Sequence, residues 1–180
     1  IRNGIDSANN SSFYKSAKYF QDAINLDPKR EEGYINLSNV YILENKIKES
    51  INLLFNYLEK HEFNYNIGAH LGKICLNYNY KNKIKHLFKI ADLNSKIANK
   101  KKKYLFYIQG EYYEKEQSFS RAKEAYLNSI NSDKFFFESY IKLFELYEKT
   151  NEIENLKSLI EKSYTYFKEG QNLNITHLFN

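Results

Sequence analysis

The residues of this chain that could do chemistry are one cysteine, Cys75, and four histidines, His61, His70, His86 and His177. None of them pairs with another histidine, cysteine or carboxylate at a spacing that favours a metal site. The six glycines are spread along the chain and do not cluster in a phosphate-binding loop. The sequence therefore predicts a protein that is not an enzyme, with no catalytic residue, no metal site and no cofactor.

A small residue recurs at a nearly constant spacing and indicates how the chain is organised. Gly4, Ser38 and Gly72 are 34 residues apart, and Gly110 follows after 38. Around each of them, apolar residues recur at i, i+3, i+4 and i+7, which is the period of an amphipathic helix. The small residue marks where two helices of one block approach closely, because a larger side chain would hold the backbones apart. Phe144 occupies this position in the fifth block and predicts more open packing there.

The second block shows the pattern most completely, with Tyr34, Leu37, Ser38 and Tyr41 on a first helix and Ser50, Leu54 and Tyr57 on a second. This pattern resembles the tetratricopeptide repeat, a helix-turn-helix unit of 34 residues. The ending NLDP of the first block and the stretch FSRAKEAYLNSI of the fourth are typical of that family. The resemblance implies an all-α, right-handed solenoid of about five repeats over residues 1–167, divided as 1–30, 31–64, 65–98, 103–136 and 137–167, with a four-residue insertion at 99–102. Residues 168–180 would be a capping helix or a linker.

The composition agrees with an all-helical chain. One proline and six glycines in 180 residues leave little material for long loops, so one domain without an internal linker is the simplest interpretation. A single cysteine cannot form an internal disulfide. The sequence has no membrane-spanning apolar run and no signal-peptide pattern, so we expect a soluble segment, cytoplasmic by default. Because it lacks an initiator methionine and opens inside a repeat, we expect an excised piece of a longer protein.

In the tetratricopeptide family the first helices line a concave face that binds partners. The resemblance therefore implies partner-binding residues at Asn36, Asn39, Asn66, His70, Lys73, Asn77, Tyr104, Tyr107, Glu111, Lys142 and Glu145, with Ile108, Glu114, Glu138, Ile141 and Glu148 beside them. Asparagine offers a donor and an acceptor to the backbone of an extended peptide. The glutamates would favour a partner that carries Lys or Arg. The alternative interpretation is that the asparagines and glutamates are ordinary solvated surface.

One partner class of the family is disfavoured by the residues present. A subset of the family binds the acidic C-terminal tails of chaperones through Lys, Asn and Arg on three successive first helices. Only Asn36 matches that clamp here, and Ile1, Ile5, Asn66 and His70 occupy other clamp positions. We predict instead a scaffold that binds a peptide or helix of another protein. The alternatives are a peptide-sensing domain of a larger regulator with an N-terminal effector domain, and an architectural subunit of a stable complex.

Positive charge is concentrated in one segment. From Lys81 to Lys103 there are nine lysines and one acid, whereas the whole chain has a net charge of +5. The proposed basic patch contains Lys81, Lys85 and Lys89 on one helix face and Lys100, Lys101, Lys102 and Lys103 at the insertion. Plain solvation is the favoured interpretation, and an acidic protein is the best functional alternative. The lack of arginine argues against nucleic acid, and a membrane surface is a less favoured partner.

Two groups of apolar residues have a structural interpretation. Cys75 aligns with Tyr41, Tyr113 and Tyr147 on the core stripe and is expected to be a buried, unreactive side chain. Three consecutive phenylalanines, 135–137, lie at the junction of the fourth and fifth blocks. Junction packing explains them, although an exposed ring among them would be a good interface anchor.

Overall fold

The computed structural model describes residues 13–93 and 102–169 of the chain. These residues form nine α-helices and no strand, which confirms the prediction of an all-α fold. The helices are α1 Phe13–Leu26, α2 Glu31–Leu43, α3 Ile47–Lys60, α4 Tyr65–Asn77, α5 Lys81–Leu93, α6 Lys103–Lys115, α7 Phe119–Ser132, α8 Phe137–Lys149 and α9 Ile153–Glu169. Gly4 and the predicted first helix of the first block lie outside the described residues.

The chain divides into two compact units, Ile1–Ile97 and Ala98–Asn180. In the first unit each of the helices α1 to α4 packs on the helix that follows it, and α2 also packs on α4. In the second unit α6 packs on α7, α7 on α8 and α8 on α9. Each unit is therefore a stack of helix pairs, in which α2, α4, α6 and α8 are first helices and the others are second helices.

The turn inside each helix pair contains one residue with a positive φ angle. These residues are Asn45, Asn79, Gln117 and Asn151, with φ between 56° and 60°. Helices commonly end with a residue in this left-handed conformation, and asparagine tolerates it better than most residues do. The N–H that follows bonds back to the end of the first helix, as from Lys46 to the carbonyl of Tyr41 at 2.7 Å. These four residues occupy equivalent positions of the four helix pairs, so the turns repeat along the chain as the helices do.

The small residues lie where the sequence predicts close approach within a pair. A Cβ atom on Gly110 of α6 would lie 2.3 Å from Cε1 of Tyr126 on α7, and the Tyr126 side chain is fully buried. The Ser38 and Ser50 hydroxyls, on α2 and α3, are also fully buried and lie 2.7 Å apart. Phe144 instead is half-buried and packs against the core of the second unit.

Both cores consist of the apolar stripes that the helical period predicts. Leu37, Leu54 and Leu71 are at most 1% exposed in the first unit. In the second unit, residues of α7, α8 and α9 share one cluster with Tyr126, Tyr140 and Leu143 among its members. Within residues 13–93 and 102–169, no helix combines the length and apolarity needed to cross a bilayer.

Candidate partner-binding faces

The first-helix face of the first unit consists of exposed parts of α2 and α4. Every residue that the sequence predicted for it is accessible: Asn39, Asn66, Lys73 and Asn77 are exposed, and Asn36 and His70 are half-buried. The side chains of Asn36, Asn39 and Asn77 make no hydrogen bond to another described residue. Their donor and acceptor groups are therefore available to a peptide backbone.

Asn66 has a structural partner that the sequence did not indicate. Its side-chain nitrogen donates to a carboxylate oxygen of Glu31 on α2 at 2.6 Å, and the Asn64 side chain donates to the other oxygen. The Asn64 oxygen also accepts from the backbone N–H groups of Asn66 and Ile67, which caps α4. Glu31 therefore joins α2 to the start of α4, so Asn66 is less available to a ligand than the other three asparagines.

His70 lies at the inner edge of this face. Its Nε2 atom is 3.2 Å from the hydroxyl oxygen of Ser38, which in turn bonds to Ser50. Burial of the imidazole, and then the nearby charge of Lys73, lower the pKa of His70 below its ordinary value. At neutral pH the ring is therefore uncharged.

The shift in His70 predicts that the first unit loses stability in mild acid. The unfolded chain has an ordinary His pKa of about 6.5 and binds a proton before the folded chain does. The free energy of unfolding therefore falls as pH decreases through that value, until the folded-state pKa is passed. Urea unfolding at several pH values tests this, and His70→Gln, which keeps a polar partner for Ser38, is expected to flatten the dependence. A pH dependence equal to that of the unsubstituted chain would contradict the assignment.

The first-helix face of the second unit consists of exposed parts of α6 and α8. Tyr104 and Glu145 are exposed, and Tyr107, Glu111 and Lys142 are half-buried, so all five predicted residues are accessible. Glu138, Ile141 and Glu148 are also exposed, and Glu114 is half-buried. The prediction for Ile108 is wrong, because this side chain is 4% exposed. It shares the buried stripe of α6 with Leu105 and Tyr112 and faces the core.

Carboxylates on both helices of this face raise the pKa values of two neighbouring side chains, Tyr107 and Lys142. Burial, followed by the charges of Glu111 on α6 and Glu138 on α8, raises the pKa of Tyr107 to about 12. The Lys142 ammonium donates to Glu145 at 2.8 Å, and this bond raises the pKa of Lys142, with further contributions from Glu114 and Glu111. We call Glu111, Glu114, Glu138, Glu145 and Lys142 the acidic face. Four carboxylates and one ammonium group leave it an excess of negative charge.

Aromatic and aliphatic side chains border the acidic face. The ring of Tyr104 meets Phe136 edge-on with centroids 4.9 Å apart, and Tyr107 contacts Phe136 at 5.7 Å. Tyr104 is 43% exposed and Ile141 is 42% exposed. A basic side chain of a ligand could therefore place its aliphatic stem on these groups and its charge on the carboxylates.

The structure describes five of the seven lysines of the predicted basic patch. Lys81, Lys85 and Lys89 are exposed on α5, whereas Lys100 and Lys101 lie outside the described residues. Lys102 is half-buried. Lys103 begins α6, where its ammonium group bonds to Asp133 at 2.6 Å and lies 5.1 Å from the ring centres of Tyr104 and Phe136. The structure therefore gives Lys103 an internal partner 30 positions along the chain, which sequence spacing could not indicate.

Cys75 and two of the histidines have structural roles. Cys75 is 1% exposed, and burial raises the pKa of its thiol to about 12, which confirms the interpretation as a core residue. The ring of His61 packs on Tyr57, and the ring of His86 packs on Phe55. His177 lies outside the described residues. In the described part of the chain, no three His, Cys, Asp or Glu residues are grouped so that they could hold a metal ion.

A groove between α7 and α9 in the second unit was not predicted from the sequence. Two adjoining cavities of about 350 and 290 Å³ share Ile130, Asn131 and Tyr166 in their walls. Phe135 lines the larger one and is 38% exposed, while Phe136 is buried and Phe137 half-buried. The phenylalanine run therefore serves mainly as junction packing but leaves one ring accessible, which is the only sequence signal that pointed to this groove.

Comparison with known proteins identifies the fold. No family model matches the sequence, and no curated protein sequence matches it. Solved structures do match: one of MamA has a TM-score of 0.63 at 17% identity and covers 92% of this chain and 96% of its own. Pseudomonas aeruginosa PilF has a TM-score of 0.69 at 13% identity and covers 90% and 72%. A tetratricopeptide repeat protein from Parabacteroides merdae has a TM-score of 0.62 at 12% identity and covers 93% and 65%.

These matches confirm the resemblance inferred from the sequence. The chain has a tetratricopeptide-repeat type of fold, built from stacked helix pairs. At such low identities the likeness extends to the fold only.

Proposed function

We propose that this chain is a non-catalytic scaffold that binds a peptide or helix of another protein on its first-helix faces. The observation that carries the proposal is the acidic face of the second unit. Its carboxylates come from two first helices, carboxylates of both helices raise the pKa values of Tyr107 and Lys142, and Glu145 accepts a hydrogen bond from Lys142. A ligand that contacts both helices would meet several carboxylates at once. The preferred ligand is therefore a segment that carries Lys or Arg.

The surroundings of the acidic face support a peptide rather than a small cation as its ligand. Tyr104 and Ile141 offer accessible apolar surface beside the carboxylates. In the first unit, Asn36 and Asn39 offer amide groups for a peptide backbone. Packed helices hold all these side chains in place before the ligand arrives, so the scaffold loses little conformational entropy on binding.

An array of immobilised nonapeptides with randomised sequences tests the proposal with defined ligands. Immobilised peptides that bind the protein are expected to be enriched in Lys and Arg, and binding is expected to weaken as the salt concentration rises. Acidic peptides of matched hydrophobicity are the control and should not bind. Bound peptides with no enrichment in basic residues would contradict the proposal for the acidic face.

A second candidate function is an architectural subunit, and the groove between α7 and α9 favours it. Leu127 and Phe135, at 37% and 38% exposed, lie in the walls of this groove together with Tyr166. Accessible apolar side chains around a cavity are common in protein interfaces. A partner held by this groove would leave the acidic face free, so the two functions predict different contact residues.

A further inference from the structure

The groove between α7 and α9 is long enough to hold a segment of a partner. One wall is a face of α9 whose lining residues are spaced i, i+3, i+4, i+7 and i+11, from Asn155 to Tyr166. The other wall is the stretch from Leu127 to Phe135. The side chain of Tyr140 on α8 also lines the groove and is buried, so it lies at the bottom. At the helical rise, the wall on α9 is about 16 Å long, or three turns.

The charged side chains of the groove leave it an excess of positive charge. Asp133 is the one acid among the described lining residues, and its carboxylate accepts hydrogen bonds from the Lys103 ammonium group at 2.6 Å and from the Phe135 N–H at 3.0 Å. Lys134 and Lys162 also line the groove and are exposed. Neither forms an ion pair with another described residue. Two ammonium groups are therefore available to a ligand, whereas the carboxylate already has partners.

Aromatic rings contact the Lys134 ammonium group at the larger cavity. Its Nζ atom lies 5.3 Å from the ring centre of Phe135 and 5.0 Å from that of Tyr166. Lys162 precedes Tyr166 by one helical turn, so both lysines lie beside the same ring. Leu127 and Phe135 add apolar surface, at 37% and 38% exposed. A matching ligand therefore combines apolar side chains for the cavities with carboxylates for the two lysines.

The walls of the groove favour a helical ligand over an extended one. Helices α7 and α9 bond most of their backbone N–H and C=O groups internally, so an extended peptide would find few backbone partners here and would leave its own polar groups unpaired. A helix satisfies its own backbone and presents side chains one turn apart on one side. The two adjoining cavities, of about 350 and 290 Å³, can accept two such side chains.

We propose that the groove between α7 and α9 binds an acidic amphipathic helix of a partner protein. Apolar side chains on one side of that helix fill the two cavities, and Asp or Glu residues beside them pair with Lys134 and Lys162. This inference rests on the second candidate function, the architectural subunit, and gives the chemistry of its partner. It is independent of the acidic face, for which we propose ligands of the opposite charge.

A synthetic helix of this chemistry tests the proposal in the intact 180-residue chain. The labelled probe has about 18 residues, with Leu at i, i+3, i+4 and i+7 on one side, Glu beside this stripe and Ala and Gln elsewhere. A hydrocarbon staple on its polar side keeps it helical, whereas the nonapeptides of the array are too short to be helical and do not probe this groove. Fluorescence anisotropy should show saturable binding. A probe of the same composition, with Leu distributed around the helix, should bind at least about tenfold more weakly.

Charge reversal in the groove locates the binding site. Lys134→Glu with Lys162→Glu should raise the Kd of the probe by more than about tenfold, because two attractions become repulsions. Lys85→Glu with Lys89→Glu is the matched control, since it makes the same change in net charge at exposed positions of α5. The control should change Kd by less than about twofold at physiological ionic strength. Far-UV circular dichroism checks that both variants remain folded.

The proposal is overturned if the unsubstituted chain does not bind the probe, or if the two double variants lose affinity equally. It is also overturned if the probe with distributed Leu binds as tightly as the amphipathic one, because charge alone would then explain binding. Failure of basic peptides to bind the acidic face would change none of these results. The two proposals therefore fail independently and distinguishably.

Discussion

Replacing Gly110 by alanine is expected to destabilise the second unit by about 2 kcal/mol, although alanine is normally more stable than glycine inside a helix. The added Cβ atom would lie 2.3 Å from Cε1 of Tyr126 and within 2.6 Å of two further ring atoms. The ring cannot move away easily, because it is fully buried and its hydroxyl donates to Glu114 at 2.6 Å. Helices α6 and α7 must separate, and this loss of packing should appear as a lower melting temperature and faster amide exchange in both helices.

A second substitution distinguishes the steric cause from a general effect on α6. In a Tyr126→Leu background the ring is absent, so Gly110→Ala should lower the free energy of unfolding much less than it does with tyrosine at position 126. A Gly110→Ala protein as stable as the unsubstituted chain would show that the two helices do not approach as described.

Reversing two charges of the acidic face is expected to weaken binding of a basic peptide by more than about tenfold. Glu138 and Glu145 are exposed on α8, so Glu138→Lys with Glu145→Lys leaves the core packing intact. Each substitution removes an attraction and adds a repulsion at the place where the ligand's positive charge would bind. Titration by fluorescence anisotropy, with a labelled peptide taken from the array, measures the change in Kd.

The matched control applies the same change in net charge elsewhere in the second unit. Glu124 and Glu161 are exposed on the second helices α7 and α9. Glu124→Lys with Glu161→Lys should change Kd by less than about twofold at physiological ionic strength, because charges beyond a Debye length are screened. Equal losses in both double variants would attribute binding to net charge and would exclude a localised site.

The sequence predicted those features of the fold that depend on period and residue size. Apolar spacing identified the helices, and the recurring small residue identified the close contact at Gly110 and at Ser38. Alignment to the core stripe also predicted the burial of Cys75 correctly. These features are predictable because helical geometry fixes which neighbours share a face, and because close packing admits only small side chains at a crossing point.

Features that depend on contacts between distant residues could not be predicted in this way. Nothing in the spacing links Lys103 to Asp133. The prediction for Ile108 was wrong because consecutive residues of a helix differ by a rotation of about 100°, which turns Ile108 away from Tyr107 and onto the buried side. The left-handed turn residues, Asn45, Asn79, Gln117 and Asn151, did stand in the repeat register. Three are asparagine, a residue suited to that conformation, so this signal was present in the sequence and could have been used.

Crosslinking shows directly which face of the second unit a bound peptide contacts. A photo-crosslinking amino acid placed in turn at Tyr104, Ile141, Leu127 and Phe135 compares the acidic face with the α7 and α9 groove at positions of similar exposure, 37–43%. We expect crosslinks to a basic peptide from positions 104 and 141 and none from 127 and 135. Crosslinks from positions 127 and 135 alone would contradict the proposal that the first-helix face binds the partner and would favour the architectural function.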